Sequence, residues 1–128
     1  MSPLEGFRRQ DHTRARGRAA EEDGVRWLQQ QGFRIVDRNV QFKAGELDVV
    51  AFEDDTLCFV EIKARATPDF GEAVYSVTRR KQRQVCAAAS LYLAANPFAG
   101  SCRFDVLAMD GSPDGWKYTL FRDAFELA

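Results

Sequence analysis

The segment Gly45-Glu46-Leu47-Asp48-Val49-Val50-Ala51-Phe52, the turn Glu53-Asp54-Asp55-Thr56 and the return Leu57-Cys58-Phe59-Val60-Glu61-Ile62-Lys63 decide how this chain is organised. Both arms alternate polar and apolar residues and are rich in Val, Ile and Phe, so each reads as a strand. The short acidic turn makes them an antiparallel hairpin. A loop of two residues (Asp54-Asp55) or of four (Glu53 to Thr56) gives one register, placing Asp48 opposite Glu61 and Glu46 opposite Lys63. A three-residue loop would slide one arm and send Asp48 and Glu61 to opposite faces.

In the first register Glu46, Asp48, Glu61, Lys63 and Arg65 share a face, because side chains alternate along a strand. Directly opposed residues have Cβ atoms about 4.5–5.5 Å apart, and like charges there repel. Two readings follow. A divalent cation could sit between the carboxylates, since Mg²⁺ takes one or two carboxylates and completes its shell with water and phosphate oxygens. Alternatively the face is solvated, and its charges serve only to prevent edge pairing.

A chain of 128 residues, 45% hydrophobic and 29% charged, makes one globular domain with a core of its own. The net charge of −1 announces no polyanionic partner, but its distribution is uneven. Residues 1–18 hold five Arg against Glu5 and Asp11, a net +3, and residues 79–83 add Arg79, Arg80, Lys81 and Arg83 without an acid. Residues 44–57 hold five acids and no Lys or Arg. An acidic cluster on a chain with basic patches suits a protein that sets metal against a polyanion, and solvated faces with a basic tail would look the same. Cys58, Cys86 and Cys102 are odd in number and form no CxxC. They read as buried free thiols in a reducing compartment, so the chain is expected in the cytoplasm. No apolar run approaches the ~20 residues of a membrane span, and none near the start resembles a secretory signal.

Residues 1–12 read as a flexible basic tail in which His12 is solvated, and residues 13–128 as the folded domain. A helix is predicted from Thr13 to Gln31, ending before Gly32, with Ala20, Gly24, Val25, Trp27 and Leu28 as its apolar stripe. Glu21 stands on the edge of that stripe, either snorkelling to water or meeting Asp48 and Glu61 as a third acid. Phe33 to Arg38 is a strand, with Asn39 to Ala44 continuing it or looping to the hairpin. The breaker-rich segment 66–71 is a loop that could border a site. Thr78 is a good N-cap for a helix through Ala95. Its stripe of Val85, Ala88, Ala89, Tyr92 and Leu93 also includes Lys81, which could snorkel, reach the acids or reach a bound phosphate. Strands follow at Cys102–Met109 and Trp116–Phe121, with Asp105 expected to pair with Arg103 or Arg122, and a helical turn is expected in the last residues. Helix, three strands, helix and two strands predict an α/β fold with a sheet covered on both faces.

Asp48 followed by Glu61-Ile62-Lys63 on adjacent strands resembles the PD-(D/E)xK nuclease superfamily, whose αβββαβ order also agrees. The longer set is similar to the YraN-like family of small bacterial proteins, related to Holliday-junction-resolvase-like endonucleases. It comprises Glu21 in its helix, Gly32-Phe33-Arg34-Ile35, Arg38-Asn39, Gly45-Glu46-Leu47-Asp48, Phe59-Val60-Glu61-Ile62-Lys63-Ala64-Arg65, Lys81 and Arg103-Phe104-Asp105-Val106. Leu47 stands where the superfamily name has Pro, and Ala20 precedes Glu21 where Gly is usual. The resemblance implies a restriction-endonuclease-like core with a mixed sheet. It implies Mg or Mn held by Asp48, Glu61, the Ile62 carbonyl and Glu21, with Lys63 acting on the attacking water. Arg65, Lys81, Arg79 and Arg80 would position phosphates of nucleic acid, most naturally DNA, with a homodimer as one possible assembly. A non-cleaving nucleic-acid-binding module on the same fold is the alternative.

Overall fold

The structure is a computed structural model that describes residues 12–66 and 77–126, with side chains from residue 19 onward. Of the proposed tail at residues 1–12, residues 1–11 lie outside the described residues, as does most of the loop at 66–71, whereas His12 begins the first helix. The order is α1 (His12–Gln30), β1 (Arg34–Phe42), β2 (Gly45–Glu53), β3 (Thr56–Arg65), α2 (Arg79–Ala95), β4 (Cys102–Asp110) and β5 (Lys117–Phe125). One five-stranded sheet runs β1-β2-β3-β4-β5. All neighbours are antiparallel except β3 and β4, which are parallel. A parallel pair needs a crossover connection, and α2 supplies it. This is a mixed α/β sheet consistent with a restriction-endonuclease-like core.

Alternation along the central strands sorts the core onto two faces. Val49, Ala51, Cys58, Val60, Leu107 and Met109 pack under Ala20, Val25 and Leu28 of α1. Val50, Leu57, Phe59, Phe104 and Val106 pack under Val85, Ala88, Ala89 and Tyr92 of α2. Covered on both sides, β3 and β4 read as nearly continuous apolar runs, as strands flanked by helices do. Each large side chain buried this way contributes about 1.5–3 kcal/mol. Two glycines bring the helices close. A Cβ at Gly24 would lie 3.0 Å from Ile62 Cδ1, and one at Gly45 would lie 2.6 Å from the Gln84 carbonyl oxygen. Only a residue without a side chain lets α2 approach β2 this closely.

The predicted hairpin has the two-residue turn: Glu53 pairs with Thr56 and Val49 with Val60. β1 continues to Phe42 rather than looping out, with a bulge between Ile35 and Asp37 and Asn39 at φ 51°. Residues 122–125 are strand, correcting the expected helical turn. The reason is a bulge opposite Asp105, where the ladder steps from Phe104↔Phe125 to Val106↔Phe121. Asp123 stands in that bulge at φ 53°, its amide donating to Asp105 Oδ1 at 2.9 Å, while Phe125 stacks on Phe104. Asp105 is fully buried and gripped by Arg103 through two bonds of 2.8 Å. Arg103 also reaches Glu53, and Arg122 forks onto Glu53. Of the two expected partners, Arg103 takes Asp105 and Arg122 does not. Cys58 and Cys86 are buried free thiols, whereas Cys102, at the start of β4, is exposed. Among the described residues no helix is long and apolar enough to cross a membrane.

A carboxylate-lined cleft where two strands part

Strands β2 and β3 pair from the turn to Val49↔Val60. Beyond that point β2 stays with β1 as far as Gly45↔Phe42, while β3 stays with β4 as far as Arg65↔Asp110. A gap opens between them. The Asp48 carboxylate crosses it, Oδ2 accepting from the Ile62 amide at 2.9 Å, so a side chain replaces the missing ladder bond. The result is a cleft of about 480 Å³ lined by Glu21, Glu46, Asp48, Glu61, Ile62, Lys63, Val77, Thr78 and Lys81. Because it lies at a parting of the sheet, α1 contributes Glu21 to it and α2 contributes Lys81, with Thr78 at its N-cap.

Asp48 and Glu61 are both buried. Burial raises the pKa of each, and the Asp48 charge pushes Glu61 further, while the Lys81 ammonium, 3.2 Å from Glu61 Oε1, opposes this. For Asp48 the Ile62 amide is the main opposing force. Glu21 is pushed up to about 7, by burial first and then by the charges of Asp48 and Glu46. Arg38 and a hydrogen bond from Asn39 pull it back. Lys81 itself is raised: burial works against its charge, but Glu61, Asp48 and Glu46 outweigh burial. Glu46 accepts from Gln41 at 3.2 Å. Lys63 lines the same cleft and forms no ion pair among the described residues.

The four predicted residues Glu21, Asp48, Glu61 and Lys63 therefore share one cleft, together with Ile62. Of the predicted phosphate contacts, only Lys81 joins them, ion-paired rather than snorkelling. Arg65 turns to Asp110 at 2.9 Å, with 10% of its side chain exposed. That contact ties β3 to β4. Arg79 lies with Arg83, Cys86 and Glu126 along a separate groove, and Arg80 is exposed on the first turn of α2. Two residues were not anticipated in the site. Asn39 stands near Glu21 and favours its charged form from a left-handed backbone position, a signal hidden because its sequence neighbours read as ordinary strand. Thr78 was legible as an N-cap, and its hydroxyl accepts from the Lys81 amide at 3.1 Å, but its place on the cleft depends on where α2 docks.

The raised carboxyls make stability depend on pH with a definite sign. Their ordinary values are 4.5 for Glu and 3.8 for Asp, so above these the folded chain binds more protons than the unfolded one. The stability they confer is complete below about pH 4 and is lost as pH rises through 7. Glu53, held down at about 2 chiefly by Arg122, contributes stability that is lost only as pH falls from about 4.5 toward 2, below that window, so it does not mask the trend. In chelator, the melting temperature is expected to fall by several degrees between pH 5.5 and 8.5, since 1 kcal/mol shifts it by roughly 2–8 °C. A flat or rising profile in differential scanning calorimetry would refute the assignment of these three acids.

A family model described as "Uncharacterised protein family UPF0102" matches residues 20–109, a span that contains the whole described cleft. Curated relatives are similar over most of both chains. A UPF0102 protein of Myxococcus xanthus is 48% identical over 96 residues, covering 74% of this chain and 76% of the relative. One from Pseudomonas putida (strain GB-1) is 44% identical over 117 residues, covering 89% and 94%. Another, from Herminiimonas arsenicoxydans, is 40% identical over 100 residues, covering 78% and 81%.

Proposed function

The chain belongs to the UPF0102 (YraN-like) family, and from that starting point we propose that its cleft is a phosphodiesterase centre of the PD-(D/E)xK kind, making the protein a Mg- or Mn-dependent endonuclease acting on DNA. The observation that supports this reading best is the buried pair Asp48 and Glu61, held side by side with Lys63 in one cleft. A fold that buries like charges together loses stability unless a cation joins them. The donors are all hard oxygens, which suit Mg²⁺ or Mn²⁺.

No three His, Cys, Asp or Glu side chains among the described residues are arranged as a complete metal set. A Mg²⁺ site requires none, because water and phosphate fill most of its shell. Asp48 and Glu61 would hold the ion, with the Ile62 carbonyl beside them and Glu21 as an outer partner. When bound, such an ion lowers the pKa of its water and offsets charge on the phosphate. The chain's own residues do the rest. The Ile62 amide fixes one Asp48 oxygen and leaves the other for the ion. Lys63, which forms no ion pair among the described residues, would orient the attacking water and balance charge developing on the phosphoryl oxygens. Arg79 and Arg80 would hold neighbouring backbone phosphates, which gives affinity without sequence choice. Three free thiols suit a reducing cytoplasm, where DNA lies. Cutting both strands of a branched substrate would engage two copies of the chain.

The test is cleavage of a panel (duplex, flap, four-way junction, single strand) with Mg²⁺ and with Mn²⁺. At least one substrate is expected to be cut, and Lys63→Ala is expected to slow cutting by about 10²–10⁴-fold, the usual worth of a positioned proton-transfer group. Binding of the panel with no cleavage under either ion would overturn the enzyme and leave a nucleic-acid-binding module.

A further inference from the structure

Lys81 is the described cation in direct contact with the buried carboxylate pair, its Nζ 3.2 Å from Glu61 Oε1. The other basic groups nearby are engaged elsewhere or unpaired: Arg38 bonds Glu22 at 2.7 Å, Arg65 bonds Asp110, and Lys63 pairs with none of the described acids. Glu61 keeps 8% of its side chain exposed, Lys81 36%. The Lys81 backbone is fixed by the Thr78 cap, while its four-carbon stem retains rotatable bonds and a path to solvent. An ammonium is a compact charge on a flexible arm, well suited to leaving one anion for another.

We propose that Lys81 is a displaceable counter-ion: it neutralises Glu61 in the metal-free protein, yields that carboxylate to the divalent cation, and then turns its ammonium to a phosphate of the bound strand. The inference rests on the metal-dependent reading above. Its physical ground is repulsion. A divalent ion on Glu61 would sit within a few ångströms of the Lys81 ammonium and repel it, and Lys81, with 36% of its side chain exposed, is the partner that can turn to solvent at little desolvation cost. The exchange makes and breaks no covalent bond. It gives Lys81 two successive anions, and makes metal uptake and strand binding mutually supportive.

The experiment is calorimetric titration of Mn²⁺ into the full chain, wild type against Lys81→Met and Lys81→Gln, with thermal melts in chelator as a check on folding. Both variants are expected to bind Mn²⁺ at least tenfold tighter and to bind DNA more weakly in the presence of Ca²⁺. They should also melt below wild type in chelator. Equal or weaker Mn²⁺ affinity in the variants overturns the counter-ion role and leaves the metal site standing. No Mn²⁺ uptake by any of the three proteins overturns both. Should the variants fail to fold, the wild type decides the matter. Its Lys81 side-chain amine resonance must shift on Mg²⁺ titration, and an unmoved resonance at saturation refutes displacement.

Discussion

Asp48→Asn is expected to abolish metal-dependent cleavage and, in the same protein at pH 8 in chelator, to raise the melting temperature. The two effects have one cause. Asparagine keeps an oxygen to accept from the Ile62 amide, the contact that spans the gap between β2 and β3, so the local structure survives. It removes the charge that, after burial, most raises Glu61 and also raises Glu21. Its amide can in turn donate to Glu61, relieving a like-charged buried pair. On the proposed metal-dependent reading, the same change would remove one of two anionic ligands from the ion. Losing about 4 kcal/mol of stabilisation at the phosphate corresponds to roughly 10³-fold in rate. Gel-based cleavage and calorimetry on the same preparation test both halves. Cleavage within tenfold of wild type would exclude Asp48 from the reaction, and a lower melting temperature at pH 8 would mean that the carboxylate is structural.

The largest stability effect is expected at Asp105, which pairs with Val60 across β3 and β4 and does not line the cleft. Its carboxylate is fully buried, held by Arg103 on two bonds, and accepts the amide of the bulged Asp123. Asp105→Ala leaves a half-buried guanidinium half-paired and an amide without its acceptor. Breaking one partner of a buried pair costs about 3–5 kcal/mol, a large fraction of the roughly 5–15 kcal/mol that holds a domain together. Urea unfolding should show that loss. Cleavage per folded molecule should stay within a few-fold, since Asp105 lies on no wall of the cleft. A loss below 1 kcal/mol would show that the network contributes little.

What the sequence revealed, and what it concealed, follows from the range of the interactions. The hairpin was readable because its turn, alternation and register are local, and these alone place Asp48 beside Glu61. The parting of β2 from β3 was not readable. It depends on β3 preferring β4, a strand brought in across α2, at a register that local pattern does not encode. The fate of Arg65 depends on that pairing too, because Asp110 faces it only when β3 and β4 align. Lys81 was legible as a residue on a buried stripe, but the choice between water and an anion required the cleft itself. The end of β5 was misread as a helical turn because the bulge at Asp123 is set by a carboxylate eighteen residues earlier.

The sheet differs from one end to the other. At the turn end, two arginines face two acids in the cluster Arg103, Asp105, Glu53 and Arg122, and every charge is answered. At the cleft end, four carboxylates face two lysines. Rigidity and tension therefore occupy opposite poles of the same strands. Substitutions in the cleft can draw on a reserve of stability held at the other pole, so the fold can vary the cleft without dissolving. Engineers seeking a hardier variant have reason to begin at the balanced pole, where reinforcement leaves the cleft alone.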